Sequence, residues 1–79
     1  MAGLDPNFTL SDMIMVAEYS GNNLTYVGYA WPGVATSDTG WLIKKFTYDA
    51  NGNILTALFA SGTNEYDKEW DERASYSYS

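Results

Sequence analysis

The sequence predicts an all-β, β-dominated domain of four to five antiparallel strands, a small sandwich or barrel-like sheet with one short helical turn near the C-terminus. Three observations predict it. Runs rich in β-branched and aromatic residues alternate with clusters of Gly, Asn, Asp and Ser, the punctuation of strands joined by turns. Aromatic residues make up 16% of the chain and charged residues only 18%, a composition suited to pleated, half-buried surfaces. The chain closes on Ala74-Ser-Tyr-Ser-Tyr-Ser79, which has the period of two expected of a strand.

Residues 1–11 mix Gly3, Pro6 and polar residues with isolated Leu4, Phe8 and Leu10 and read as an N-terminal arm ahead of a single β domain at 12–79. Met13–Tyr19 is apolar at nearly every position. A Ser20-Gly-Asn-Asn23 cluster separates it from Leu24–Ala30, which is the pattern of a hairpin. A helix over 9–17 capped by Thr9 or Ser11 competes, but the turn cluster and the aromatic second arm favour strands. Trp31–Gly40 carries Pro32, Gly33 and several hydroxyl side chains and reads as a loop.

Trp41–Tyr48 and Asn53–Ala60 flank Asp49-Ala-Asn-Gly52, the strongest hairpin signal in the chain, because Asn-Gly supplies the positive φ of a tight turn. Within the first arm, Lys44 and Lys45 interrupt the apolar phase. Either a β-bulge near them restores one continuous face, or the strand is buried on both faces with the lysine stems snorkelling at an edge. After Ser61-Gly62 the period changes. Tyr66 and Trp70 stand four apart, Asn64 is a candidate N-cap and Glu65 suits a first turn, so a helical turn is expected at about 65–72. A final strand is expected over the Ala/Tyr/Ser alternation.

Seventy-nine residues form one domain, and a chain of this length buries only roughly 60–65% of the surface exposed when unfolded. Cysteine and histidine are both absent. No disulfide or thiolate metal site is therefore available, and the commonest general base and nucleophile–base pairs are missing. The expectation is a non-enzymatic chain with no cofactor and no metal, stabilised by packing against partners. Ten acidic residues against four basic ones, a net charge of −6, disfavour nucleic acid. No apolar run approaches the ~20 residues of a membrane span, and the N-terminus lacks the basic and apolar regions of a secretory signal. The sequons at Asn7-Phe-Thr9 and Asn23-Leu-Thr25 are expected to be unmodified.

Asp49-Ala-Asn-Gly-Asn53 begins like a calcium loop, but Gly52 comes too early and the later ligand position is apolar, so it is read as a turn. Glu65, Asp67, Glu69, Asp71 and Glu72 could be imagined as a glycosidase pair; a solvated acidic face served by Lys68 and Arg73 is the favoured reading. Tyr26, Tyr29, Trp31, Trp41 and Trp70 form either a carbohydrate stacking platform or core and subunit interface, and the second is favoured in a small β protein. Arg73, the one guanidinium, is read as a clasp between the acidic turn and the final strand, or as an intersubunit salt bridge. The interface set expected from these readings is Tyr29, Trp31, Trp41, Trp70, Arg73, Tyr76 and Tyr78.

Several words of the sequence then carry a resemblance: Tyr26-Val-Gly-Tyr-Ala30, Pro32-Gly-Val-Ala-Thr-Ser37, Trp41-Leu-Ile-Lys-Lys45, Tyr48-Asp-Ala-Asn-Gly-Asn53, Phe59-Ala60 and Trp70-Asp-Glu-Arg-Ala-Ser75 ending in Tyr78-Ser79. In this order, over about 24–79, they resemble a group of short virion structural proteins of tailed bacteriophages and prophages. The resemblance implies a virion component of the tail, neck or fibre region, with a capsid decoration (cement) protein as the nearest alternative. It implies a homo-oligomer, a trimer or a ring, bound to other virion proteins and assembled in the bacterial host cytoplasm. A second reading is a small carbohydrate-binding module using the aromatic loop at 31–41. The first 20 residues carry no matching word.

Overall fold

The computed structural model describes residues 13–79, so the expected arm at 1–11 lies outside the described residues. Four antiparallel strands, β1 (Ile14–Ser20), β2 (Asn23–Ala30), β3 (Leu42–Tyr48) and β4 (Ile54–Phe59), form one open sheet in sequential order. A single short 3-10 helix, Trp70–Ser75, follows among the described residues. The β-dominated class and the four strands agree with the sequence reading. In place of a second sheet or a closed barrel, the segment after β4 folds back over one face.

Both hairpins form where turn chemistry places them. The first closes at Ser20↔Asn23, with Gly21 at φ 62°. In the second, Asp49 donates its N–H to the Asn53 carbonyl (2.9 Å) and Gly52 donates to the Asp49 carbonyl (3.1 Å). Of the residues in that loop only Gly52 takes positive φ, at 84°. The connection is thus a three-residue loop whose last residue is left-handed, rather than a two-residue turn with two such residues. Each hairpin carries a register shift near its turn, between Glu18 and Tyr19 opposite β2 and between Thr47 and Tyr48 opposite β4. Thr25 and Leu55 are the extra residues. Thr25 Oγ1 donates to the Glu18 carbonyl (2.9 Å), fixing the first irregularity.

No bulge occurs at the lysines. Lys44 pairs with Val27 and Phe59, and Lys45 with Tyr26 and Leu58, in unbroken register. The snorkelling reading holds, on a central strand instead of an edge. Lys44 Nζ lies 5.2 Å from the Phe59 ring centroid on one face, and Lys45 Nζ lies 6.0 and 5.8 Å from Tyr26 and Tyr78 on the other. Aromatic faces let both ammonium groups remain on a half-buried strand.

The core sits on one side of the sheet. Ala30, Trp41, Ile43, Ala60 and Trp70 are buried together, with Ile14, Val16, Tyr26, Val34, Tyr76 and Tyr78 packed around them. Trp41 and Ile43 are enclosed almost completely, and burial of an apolar side chain of this size contributes roughly 1.5–3 kcal/mol.

The cover is the C-terminal segment, and it departs from the expected helix at about 65–72. Lys68 exchanges two backbone hydrogen bonds with Trp41 (2.9 and 3.0 Å), which holds 67–69 extended. The helix starts only at Trp70, after Glu69 in extended conformation and with no side-chain cap, so Asn64 caps nothing. Tyr66 and Trp70 are therefore not successive positions of one helix. The final segment pairs over a shorter length than the alternation suggests. Phe59 and Ser79 exchange N–H···O bonds (3.1 Å each), and Ser61 donates to the Ser77 carbonyl (2.6 Å). Ala74 and Ser75 belong to the helix, while Tyr76 and Tyr78 point to the core and Ser75, Ser77 and Ser79 stay exposed.

Candidate functional site

The residues expected at an interface separate into three environments. Trp41 and Trp70 are 1% and 8% exposed, with ring centroids 6.3 Å apart, and form the centre of the chain's own core. Trp41 Nε1 donates to the Ala35 carbonyl (2.9 Å), and Asp71 N–H reaches the Thr36 carbonyl (3.1 Å), so both indole-bearing segments anchor the 31–40 loop. Buried this way, neither indole offers a stacking face to a sugar ring. Tyr29 and Trp31 are half-buried; Tyr29 lies on the sheet face opposite the core.

Arg73, Tyr76 and Tyr78 form a clasp. Arg73 Nε donates to Glu18 Oε1 of β1 (2.7 Å), Nη1 donates to the Trp70 carbonyl (3.1 Å), and the guanidinium lies 4.7 Å from the Trp70 ring centroid. The planar fork thus joins the first strand to the helix across 55 residues of sequence. The sequence reading set the clasp between the acidic turn and the final strand; the guanidinium instead ties the helix to Glu18 of β1, and only the Arg73 carbonyl reaches the final segment, through Tyr78. Tyr76 Oη accepts from the Glu69 N–H (2.8 Å), and Tyr78 Oη donates to the Arg73 carbonyl (2.7 Å). Tyr78 also packs on Tyr26 at 5.7 Å. Burial, reinforced by Tyr26 and Tyr76, pushes the Tyr78 phenol well above its ordinary range.

The acidic groups do not converge on a reactive centre. The Asp49 carboxylate accepts from the Asn51 and Asn53 backbone N–H groups (2.9 Å each). The Asn53 bond is the main cause holding its carboxyl below the ordinary value. The loop therefore uses its carboxylate as turn cement. Asp67 pairs with the adjacent Lys68. Among the described residues no cluster of metal-ligating groups and no enclosed pocket is found.

What remains is the second face of the sheet. By strand alternation it carries Met15, Ala17 and Tyr19 of β1, Val27 and Tyr29 of β2, Leu42, Lys44 and Phe46 of β3, and Ala57 and Phe59 of β4. Val27 and Leu42 are buried at its centre. Met15 and Tyr19 are 58% and 61% exposed towards the β1 side, and Ile54 and Leu55 are 58% and 63% exposed on β4. Sequence reasoning missed Met15 and Tyr19, because with apolar residues on both sides of β1 no polar alternation marks which one faces out. The signal available was the run itself, seven residues with one charge, Glu18, and that charge is held by Arg73.

The chain has no significant match among protein-family models, curated proteins or solved structures.

Proposed function

We propose that this chain is a non-enzymatic structural subunit of a tailed-bacteriophage virion, associating with copies of itself and with other virion proteins in the tail, neck or fibre region. The observation that carries the assembly role is the asymmetry of the sheet. One face is covered by the chain's own C-terminal segment, whereas the other presents Met15 and Tyr19 beside a buried apolar centre. Exposed apolar side chains grouped at the rim of a small sheet suit a protein–protein contact. The virion assignment rests on the resemblance of residues 24–79.

Chemistry of the described residues supports the same reading. The carboxylates are spread over turns and solvated positions, and the side chains that hold the fold are aromatic and arginine contacts of the kind that fix a rigid building block. A cement role on the capsid uses the same surface and differs only in where the subunit sits. The carbohydrate reading loses two of its five aromatics to the core, since Trp41 and Trp70 are enclosed.

Quantitative mass spectrometry of particles purified from the strain carrying the gene tests the proposal. The chain is expected in stoichiometric amounts in intact particles, enriched with tail fractions after dissociation. Recovery in the lysate but not in the particles overturns it.

A further inference from the structure

The two edges of the sheet are finished differently. On β4, the outward backbone groups of Phe59 are taken by Ser79, Ser61 donates to Ser77, and Leu55 stands unpaired at the register shift. Capping and bulging are the devices by which proteins blunt an edge. On β1 neither device is present among the described residues. Its seven residues run without proline, the irregularity of that hairpin falls on β2, and among the described residues its outer side has no partner.

The ladder decides which groups of β1 point outwards. Ala60 N–H donates to the Ile43 carbonyl, so Ile43 bonds towards β4. By antiparallel alternation Lys44 bonds towards Val27, while Tyr26, Gly28 and Ala30 bond towards Glu18, Val16 and Ile14. Met15, Ala17 and Tyr19 are left with outward N–H and C=O groups, and all three side chains are exposed on the face opposite the core.

We propose that this edge pairs with β1 of a second copy, antiparallel about a two-fold axis at Ala17, joining two sheets into one. The inference rests on the assembly reading above and names its first contact, a two-fold pair in place of a trimer or ring. The partner is a second copy because the edge is self-complementary in this register. Ala17 meets Ala17 on the axis, and Met15 meets Tyr19 on both sides, a thioether against an aromatic ring. On the core face Val16 meets Glu18. The chain's net charge of −6 opposes self-association, and this register places no acid directly opposite another. The two Glu18 side chains come no nearer than diagonal positions, each carrying its own Arg73.

Light scattering on the eluted full chain should give twice the mass of one chain, falling to one on dilution. Ala17→Lys sets two lysines face to face at the axis and should weaken association at least about tenfold, with the near-ultraviolet circular dichroism of the tryptophans unchanged. A second measurement does not depend on that variant. Because the chain has no cysteine, Ala17→Cys introduces a single thiol whose Cα lies roughly 5.5 Å from its mate, within disulfide reach. Mild oxidation should cross-link it quickly into a dimer, with Ala57→Cys on the other edge lagging behind. A wild-type monomer at all concentrations, a dimer indifferent to Ala17→Lys, or equal cross-linking at both edges would overturn the proposal. Particle incorporation without Ala17 cross-linking refutes this contact alone and leaves the virion role standing.

Discussion

A β-carbon added to Gly28 would stand 2.7 Å from Cε3 of Trp70 and 3.1 Å from Cε3 of Trp41. Only a residue without a side chain lets the middle of β2 lie flat beneath two packed indoles. Gly28→Ala gains something from a less flexible unfolded chain, yet both neighbours are buried rings that cannot swing aside. Net destabilisation of about 1–3 kcal/mol is expected from overpacking, measured as a shift in the urea midpoint at unchanged slope.

Among the described residues the Arg73 side chain makes three contacts, with the Glu18 carboxylate, the Trp70 carbonyl and the Trp70 ring, whereas the Glu18 carboxylate makes one. Exposed at 27% and 44%, the Arg73–Glu18 pair is partly screened, so removing the carboxylate by Glu18→Gln should cost under about 1 kcal/mol. Arg73→Ala also removes the stacking on Trp70 and the bond to its carbonyl, and about 1–3 kcal/mol is expected. Arg73→Lys should recover less than half of that loss, since an ammonium cannot stack and fork together. Equal effects of Glu18→Gln and Arg73→Ala in chemical denaturation would show that the ion pair alone matters.

Tyr78 couples folding to alkaline pH. Its folded pKa is raised, first by burial and then by Tyr26 and Tyr76, so the folded state holds its proton where the unfolded chain releases it. The contribution is complete below the unfolded value of about 10 and is lost as pH rises from there towards the folded value. Tyr78→Phe keeps the ring and removes the titration. Stability of wild type should fall more steeply than that of the variant above about pH 10; parallel curves would contradict the assignment.

Deleting residues 76–79 strips Tyr76 and Tyr78 from the core and frees the Phe59 backbone groups. For a domain whose whole stability is of order 5–15 kcal/mol, two packed tyrosines and an edge pair are a large share. The truncated chain should lose its cooperative thermal transition, read by tryptophan fluorescence. A sharp transition near the wild-type temperature would show that the C-terminal segment only decorates the sheet.

The two hairpins were legible because their causes are local: Gly21 and Gly52 supply the left-handed backbone their turns require, and the flanking β-branched and aromatic runs supply the strands. The helix boundary was not legible. Asn64, Glu65, Tyr66 and Trp70 make a reasonable local helix, but Lys68 bonds Trp41, a residue 27 positions earlier, and that competing pair moves the helical turn to Trp70–Ser75. The lysines of β3 posed a similar ambiguity. Only the positions of Phe59, Tyr26 and Tyr78 resolve it, by receiving the two stems on opposite faces.

The sequence by itself determined the β class, the strand pairs, the turns and the want of histidine and cysteine chemistry, all properties carried by composition and near-neighbour sterics. Tertiary structure alone decided that Trp41 and Trp70 belong to the chain's own core, that the carboxylate held by Arg73 is Glu18, and that β4 is a capped edge while β1, among the described residues, is an open one. Each of these depends on which distant backbone a group reaches first. Where every strand carries apolar residues on both faces, residue identity cannot choose between burial within the chain and exposure at its rim; the path of the C-terminal segment makes that choice.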